Sequence, residues 1–186
     1  RLQQFLATAR QKAGGAVHLF GHCLGGNLAL ALAALAPQQC RSLILCSTPW
    51  DFHAGDPAIR QQGALLWQSL APALPPDALV PSVLLQTLFT LLQPLQVTDK
   101  FRRLSRVPDS TPRLQHFCRV EHWLNDGVAL PRPVFSEIMQ DWYGANLPCQ
   151  GGWMIKGRAI LPQSLRLPCL VAVPERFRSL GVRRYG

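Results

Sequence analysis

Gly21-His22-Cys23-Leu24-Gly25-Gly26 is the stretch that decides how this 186-residue chain folds. Before it, Ala16-Val17-His18-Leu19-Phe20 is a short apolar run of the kind that forms a buried strand. After it, Leu24 to Leu35 is rich in Leu and Ala, both strong helix formers, until Pro37 stops the pattern. Strand, sharp turn and helix therefore follow one another. A strained turn of this kind leaves no room for side chains two residues before and two after its tip, a need that Gly21 and Gly25 meet, while Gly26 lets the helix lie close to the sheet. Cys23 at the tip is the candidate catalytic nucleophile. It would sit at a helix N-terminus, where free N–H groups and the helix dipole favour a thiolate. The N–H of Leu24 is then a candidate donor to a developing oxyanion.

Working outward, Ser42-Leu43-Ile44-Leu45-Cys46 is a second apolar run, as expected of a strand buried on both faces of a parallel sheet, with the Leu24 helix as the crossover between them. Leu2 to Lys12 carries apolar residues at Leu2, Phe5, Leu6 and Ala9, one face of a helix, broken by Gly14-Gly15. From about Asp56 to Gly152 helical segments are punctuated by seven prolines between Pro72 and Pro112, with Trp67, Trp123, Trp142 and Trp153 supplying bulk. The strand pattern returns at Pro168 to Val173. The fold class expected is α/β, a partial parallel sheet formed by residues 1–55 and 153–186, with 56–152 a mainly helical cap insertion.

A 48% hydrophobic content with 16% charged residues is that of a globular chain. The net charge of +9 concentrates at Lys100, Arg102, Arg103, Arg106, Arg113 and Arg119, and at Arg176, Arg178, Arg183 and Arg184. Aromatic residues do not interleave with either cluster, so no nucleic acid is expected, and the clusters read as a solvated basic face, with a phosphate-bearing substrate or an anionic partner as the alternative. The six cysteines form no Cys-x-x-Cys pair and no zinc-spaced set with His, so no metal is expected, and Cys46 and Cys169 read as buried apolar groups. No secretory signal is recognisable, and the apolar stretch from Ala78 to Leu95 is interrupted by Pro81, Gln86, Gln93 and Pro94, which excludes a membrane span there and favours a cytoplasmic protein. The chain starts at Arg1 in what reads as the middle of a helix, so it is expected to be a segment of a larger protein. Among the histidines, His22 is expected to pack beneath the turn and His18 in the core, with His53, His116 and His122 surface or cap residues.

The Gly21-x-Cys23-x-Gly25-Gly26 box, Thr48-Pro49-Trp50-Asp51-Phe52, Glu121-His122-Trp123-Leu124-Asn125-Asp126 and Asp141-Trp142-Tyr143 together resemble the polyhydroxyalkanoate synthases of the α/β-hydrolase superfamily, in order, from about Val17 to Val173. That resemblance implies a nucleophile elbow and an acyltransferase that takes a 3-hydroxyacyl group from its coenzyme A thioester onto Cys23 and passes it to a growing polyester. Thiol–thioester exchange is close to isoenergetic, which suits a Cys nucleophile. The coenzyme A thioester would be substrate, and no cofactor is expected. A granule-associated, homodimeric protein is implied as well.

The family's Asp would fall just beyond Val173, where this chain has Arg176-Phe177-Arg178, and its His on a later loop beyond the end of this chain. Glu175 and Asp51 are the substitute acids, Asp51 having the simpler alternative of bracing its loop. Two other readings stay open. One is a small cysteine hydrolase resembling dienelactone hydrolase, against which the long insertion counts; the other is a catalytically inactive fragment.

Overall fold

The computed structural model describes residues 1–54, 56–92, 94–108 and 111–173. Glu175 and the arginines at 176, 178, 183 and 184 lie outside the described residues. The described chain divides into two compact units, residues 1–56 with those from 141 onward, and residues 57–140.

The first unit is built on a three-stranded parallel sheet. Helix α1 (Leu2–Ala13) ends where Gly14 turns left-handed at φ 67°, its N–H donating to Gln11 O. Strand β1 (Val17–His22) follows, then α2 (Leu24–Leu35), a 3-10 turn at Pro37–Gln39, and β2 (Cys40–Cys46). The crossover puts β1 beside β2 in parallel, Phe20 opposite Ile44 and His22 opposite Cys46. The last strand among the described residues lies on the other side of β2, so that β2 lies between two parallel neighbours.

The core of this unit lies between α2 and one face of the sheet. Leu30, Ala33, Leu43 and Leu45 are all but inaccessible there. The opposite face corrects the expectation of strands covered on both sides. His18, Phe20 and His22 alternate outward along β1 and are exposed, and Phe20, Ile44 and Leu170 form one row across the three strands, with Phe20 67% and Leu170 62% exposed. Two side-chain readings fall with it. His18 is an exposed residue bonded through Nδ1 to Ser42 Oγ at 2.7 Å, and His22 points outward rather than beneath the turn. Cys169 is likewise exposed and Cys46 half-buried; Cys40 is the buried thiol.

The second unit, residues 57–140, is mainly helical. It contains α3 (Pro57–Leu70), α4 (Ser82–Leu92), α5 (Pro94–Leu104), α6 (Pro112–Asn125) and α7 (Arg132–Glu137), with two short antiparallel strands, β3 (Leu79–Val80) and β4 (Leu130–Pro131), that sequence patterning did not reveal. Trp67 stacks on Phe135 at 4.8 Å between ring centroids, and Arg132 Nη2 donates to Ala71 O at 3.0 Å. Part of the basic cluster is neutralised within the unit. Lys100 pairs with Glu121 at 2.8 Å and lies over the Phe101 ring, and Arg102 pairs with Asp99. Trp123, expected to add bulk to this insertion, is 70% exposed.

A π-helical segment, Ile138–Gly144, carries the chain from the second unit back to the first. It leads to α8 (Leu147–Gln150), the hairpin β5 (Met154–Ile155) and β6 (Arg158–Ala159), and finally β7 (Cys169–Ala172), the third strand of the sheet. Residues 141–152, grouped with the cap on sequence, lie in the sheet-bearing unit. The reason is aromatic packing. Trp142 contacts Trp153 edge-on at 5.0 Å and Phe52 at 5.5 Å, and Trp153 contacts Trp50 at 6.2 Å, so the loop after β2 gathers this segment to itself.

Among the described residues no helix is long and apolar enough to cross a membrane.

Candidate active site

Cys23 stands at the carboxyl end of β1 and is the N-cap residue of α2. Its backbone is at φ 52°, ψ −133°, a conformation that costs a residue with a side chain about 1–3 kcal/mol and persists only where the surroundings enforce it. Here they do so from both sides. The Cys23 N–H donates to Cys46 O at 3.0 Å, fastening the turn to the end of β2, and Gly26 N–H donates to Cys23 O at 2.8 Å, closing the first helical turn.

The glycines admit this geometry, but not in the way the spacing suggested. A Cβ on Gly21 would collide with the Gly26 backbone and lie 2.8 Å from Gly25 O, so β1 and the start of α2 touch backbone to backbone. A Cβ on Gly26 would overlap Thr48, whose own Cβ would be 2.7 Å away and which is completely buried. A Cβ on Gly25 would meet nothing within 4 Å. Gly21 and Gly26 are thus the pair that the turn requires, and Gly25 is sterically free.

The Cys23 thiol is half-buried. Burial pushes the thiol above its ordinary pKa, and the Leu24 N–H, which favours the thiolate, offsets only part of that. This corrects the expectation that the helix end alone would leave an acidic thiol. Among the described residues no histidine is hydrogen-bonded to Cys23.

Asp51 lies in the loop after β2, in the same unit. Its Oδ1 accepts from His53 N–H at 3.0 Å and from Asn146 Nδ2 at 2.9 Å, while Asn146 Oδ1 accepts from Phe52 N–H at 3.0 Å. These bonds make it a brace of its loop. His53, read as a surface or cap histidine, directs Nε2 at the carbonyls of Tyr143 and Gly144, at 3.0 and 2.9 Å. His116 and His122 are exposed on α6 in the other unit. Glu175, the other acid considered, is outside the described residues.

Three residues of this site carried no assigned role in the sequence. Asn146 is buried and left-handed, at φ 55°, and locks the loop after β2 through both ends of its amide. His53 holds the backbone on which Tyr143 sits. Tyr143 packs edge-on against Phe52 at 5.0 Å, and burial first, then the charge of Cys23, pushes its hydroxyl up to about 12. The side chain is therefore neutral across the ordinary pH range, an O–H donor within electrostatic reach of the thiol. The signal for Tyr143 was its place in Asp141-Trp142-Tyr143; for Asn146 it was only the tolerance of asparagine for left-handed backbone.

A parallel sheet with a strained cysteine turn between strand and helix at its carboxyl end defines the class. A family model for the alpha/beta hydrolase fold matches residues 2–140, and the chain belongs to that family. Its relatives include the poly(3-hydroxyalkanoate) polymerase subunits PhaC of Haloferax mediterranei, 28% identical over 162 residues, and of Allochromatium vinosum, 28% identical over 158 residues. That of Haloarcula marismortui is 21% identical over 161 residues. These alignments cover 86%, 83% and 86% of this chain but 32%, 43% and 34% of the relatives, so the chain spans between a third and somewhat over two-fifths of their length.

Proposed function

We propose that this chain is the nucleophile-bearing segment of a polyhydroxyalkanoate synthase, an acyltransferase in which Cys23 takes a 3-hydroxyacyl group from coenzyme A as a thioester and passes it to a polyester chain. The observation that carries the reading is the backbone of Cys23: a positive-φ residue with a side chain, at a strand-to-helix turn, as the N-cap of the helix that follows. That is the arrangement of a nucleophile elbow. The similarity to PhaC subunits supports the same substrate class.

The covalent step needs little from the protein beyond placement. The Cys23 thiolate attacks the thioester carbonyl, the negative charge gathers on oxygen, and collapse expels coenzyme A as a thiolate that takes a proton from water. What the described residues lack is a base bonded to the thiol, so this segment by itself is a half-site: able to accept one acyl group and unable to turn over.

The test is coenzyme A release from 3-hydroxybutyryl-CoA by the purified chain and its Cys23→Ala variant. One equivalent released, dependent on Cys23 and faster at alkaline pH because the thiol is raised, is the expected result. Sustained Cys23-dependent release would overturn the half-site; release indifferent to the substitution would overturn the nucleophile.

A further inference from the structure

Helix α6 rests on its unit by a narrow strip. Of its 14 residues none is buried, and Leu114, Phe117 and Glu121 alone are half-buried. Phe117 meets the Phe101 ring edge-on at 6.1 Å, and both carboxylate oxygens of Glu121 accept from Lys100 Nζ, at 2.9 and 2.8 Å. The rest of the helix faces solvent, and what it shows there is not the polar surface of an ordinary outer helix. Arg113, His116 and Arg119 occupy its first half and Val120, Trp123 and Leu124 its second, at steps of three and four that set all six on one side. Val128, 86% exposed, extends the apolar end just past the helix, where Gly127 lies so close to Ser82 that a Cβ there would be 2.7 Å from the Ser82 Cβ. Val83, next to Ser82, is exposed as well. Asp126, the C-cap, is an exposed carboxylate at that end. Single exposed apolar side chains are ordinary, but a run of them on one side of a helix marks a contact surface.

Charge narrows what that surface meets. Lys100 and Arg102 are paired within the unit, whereas Arg103, Arg106, Arg113 and Arg119 are exposed and have no carboxylate partner among the described residues. Aliphatic side chains beside an exposed indole and free guanidinium groups are the components of a helix that lies at a lipid–water boundary. Val and Leu suit acyl chains, the indole suits the boundary itself, and arginine pairs with phosphodiesters. A nucleic acid calls for several rings on which bases stack, and this side offers Trp123. A peptide calls for a groove, and the side of a helix is convex. We propose that the outer side of α6 docks this unit on an anionic phospholipid surface. Val120, Trp123, Leu124 and Val128 enter the outer acyl region, and Arg113 and Arg119 hold headgroup phosphates. Arg103 and Arg106 of α5 add to the attraction at longer range. The docking is peripheral and does not depend on the chemistry of Cys23.

The full chain is sedimented with vesicles of phosphatidylcholine alone and of phosphatidylcholine mixed equally with phosphatidylglycerol. Binding is expected to be at least about tenfold tighter to the mixed vesicles and to weaken in high salt. Trp123→Ala is expected to weaken it at least about tenfold and Val128→Gln about fivefold, from the apolar area withdrawn. Arg113→Gln combined with Arg119→Gln is expected to weaken it at least about tenfold. All these positions are exposed, so circular dichroism and melting should match the parent chain. A control removes the same charge elsewhere. Arg10→Gln with Arg41→Gln, at exposed positions of the other unit, should change binding by less than about threefold. A loss there equal to that of the α6 pair would overturn the proposal, since net charge alone would then bind. So would equal binding to both kinds of vesicle, no binding to either, or Trp123→Ala and Val128→Gln that bind like the parent. A dimeric parent that ignores vesicles and becomes monomeric with Trp123→Ala would also overturn it, assigning this side of α6 to a second copy of the chain.

Discussion

The turn after β1 and the loop after β2 leave the same end of the same sheet one strand apart, and they are held in unlike ways. The first is made by what is missing: no side chain at Gly21 or Gly26, so that strand, helix and Thr48 approach to contact. The second is made by side chains, with Asn146 bonding Asp51 and the Phe52 N–H, and the His53 ring bonding the Tyr143 carbonyl, across ninety or more residues of sequence. Asn27 of α2 ties the two together, donating Nδ2 to Pro49 O at 2.8 Å. A local backbone device holds Cys23, and a long-range polar clamp holds the loop after β2.

Substitutions can take the two devices apart. The largest effect belongs to Gly26→Ala, because the new Cβ would overlap a fully buried threonine with nowhere to go. A loss of about 3 kcal/mol in urea unfolding is expected, and a loss below about 1 kcal/mol would mean that the approach of α2 to Thr48 is not needed. The clamp comes next. Asn146→Gly keeps the left-handed backbone without strain while removing both amide bonds, leaving the Phe52 N–H without its partner. That is expected to cost about 1–3 kcal/mol and to slow acylation of Cys23 through misplacement of the neighbouring loop. Unchanged stability would show that the clamp is ornamental. Least of all is Gly25→Ala, which finds open space on an exposed helical position and gains helix propensity. Stability equal or raised by up to about 1 kcal/mol is expected; a marked loss would restore Gly25 to the steric role its spacing suggests.

The same contrast separates what the sequence disclosed from what it did not. Strand, turn and helix around Cys23 were legible because everything that dictates them lies within a few residues of each other, and α2 runs over Leu24–Leu35 as its composition indicates. The parallel pairing of β1 with β2 follows from the same local units, whereas the place of β7 beside β2 came only with the structure. The clamp was only half legible: bracing of the loop was an open reading for Asp51, but its partner Asn146 lies 95 positions away and has no motif of its own. The acidity of the thiol was misjudged for a related reason. A helix end is worth about 0.3–1 kcal/mol to a charge and can be read locally, whereas burial, which here outweighs it, is a property of the packed whole. The row of exposed Phe20, half-buried Ile44 and exposed Leu170 makes the point on the sheet: an apolar run announces a strand but does not say that both of its faces are covered.

The central claim, that a strained and half-buried Cys23 is the acyl acceptor, is tested most directly by locating the adduct. The chain also has exposed thiols at Cys118, Cys149 and Cys169, more accessible to any reagent that selects by exposure alone. After incubation with 3-hydroxybutyryl-CoA and proteolysis under conditions that spare thioesters, mass spectrometry should find one acyl group per chain, on the peptide that contains Cys23. An acyl group on Cys118, Cys149 or Cys169 with Cys23 unmodified would contradict it.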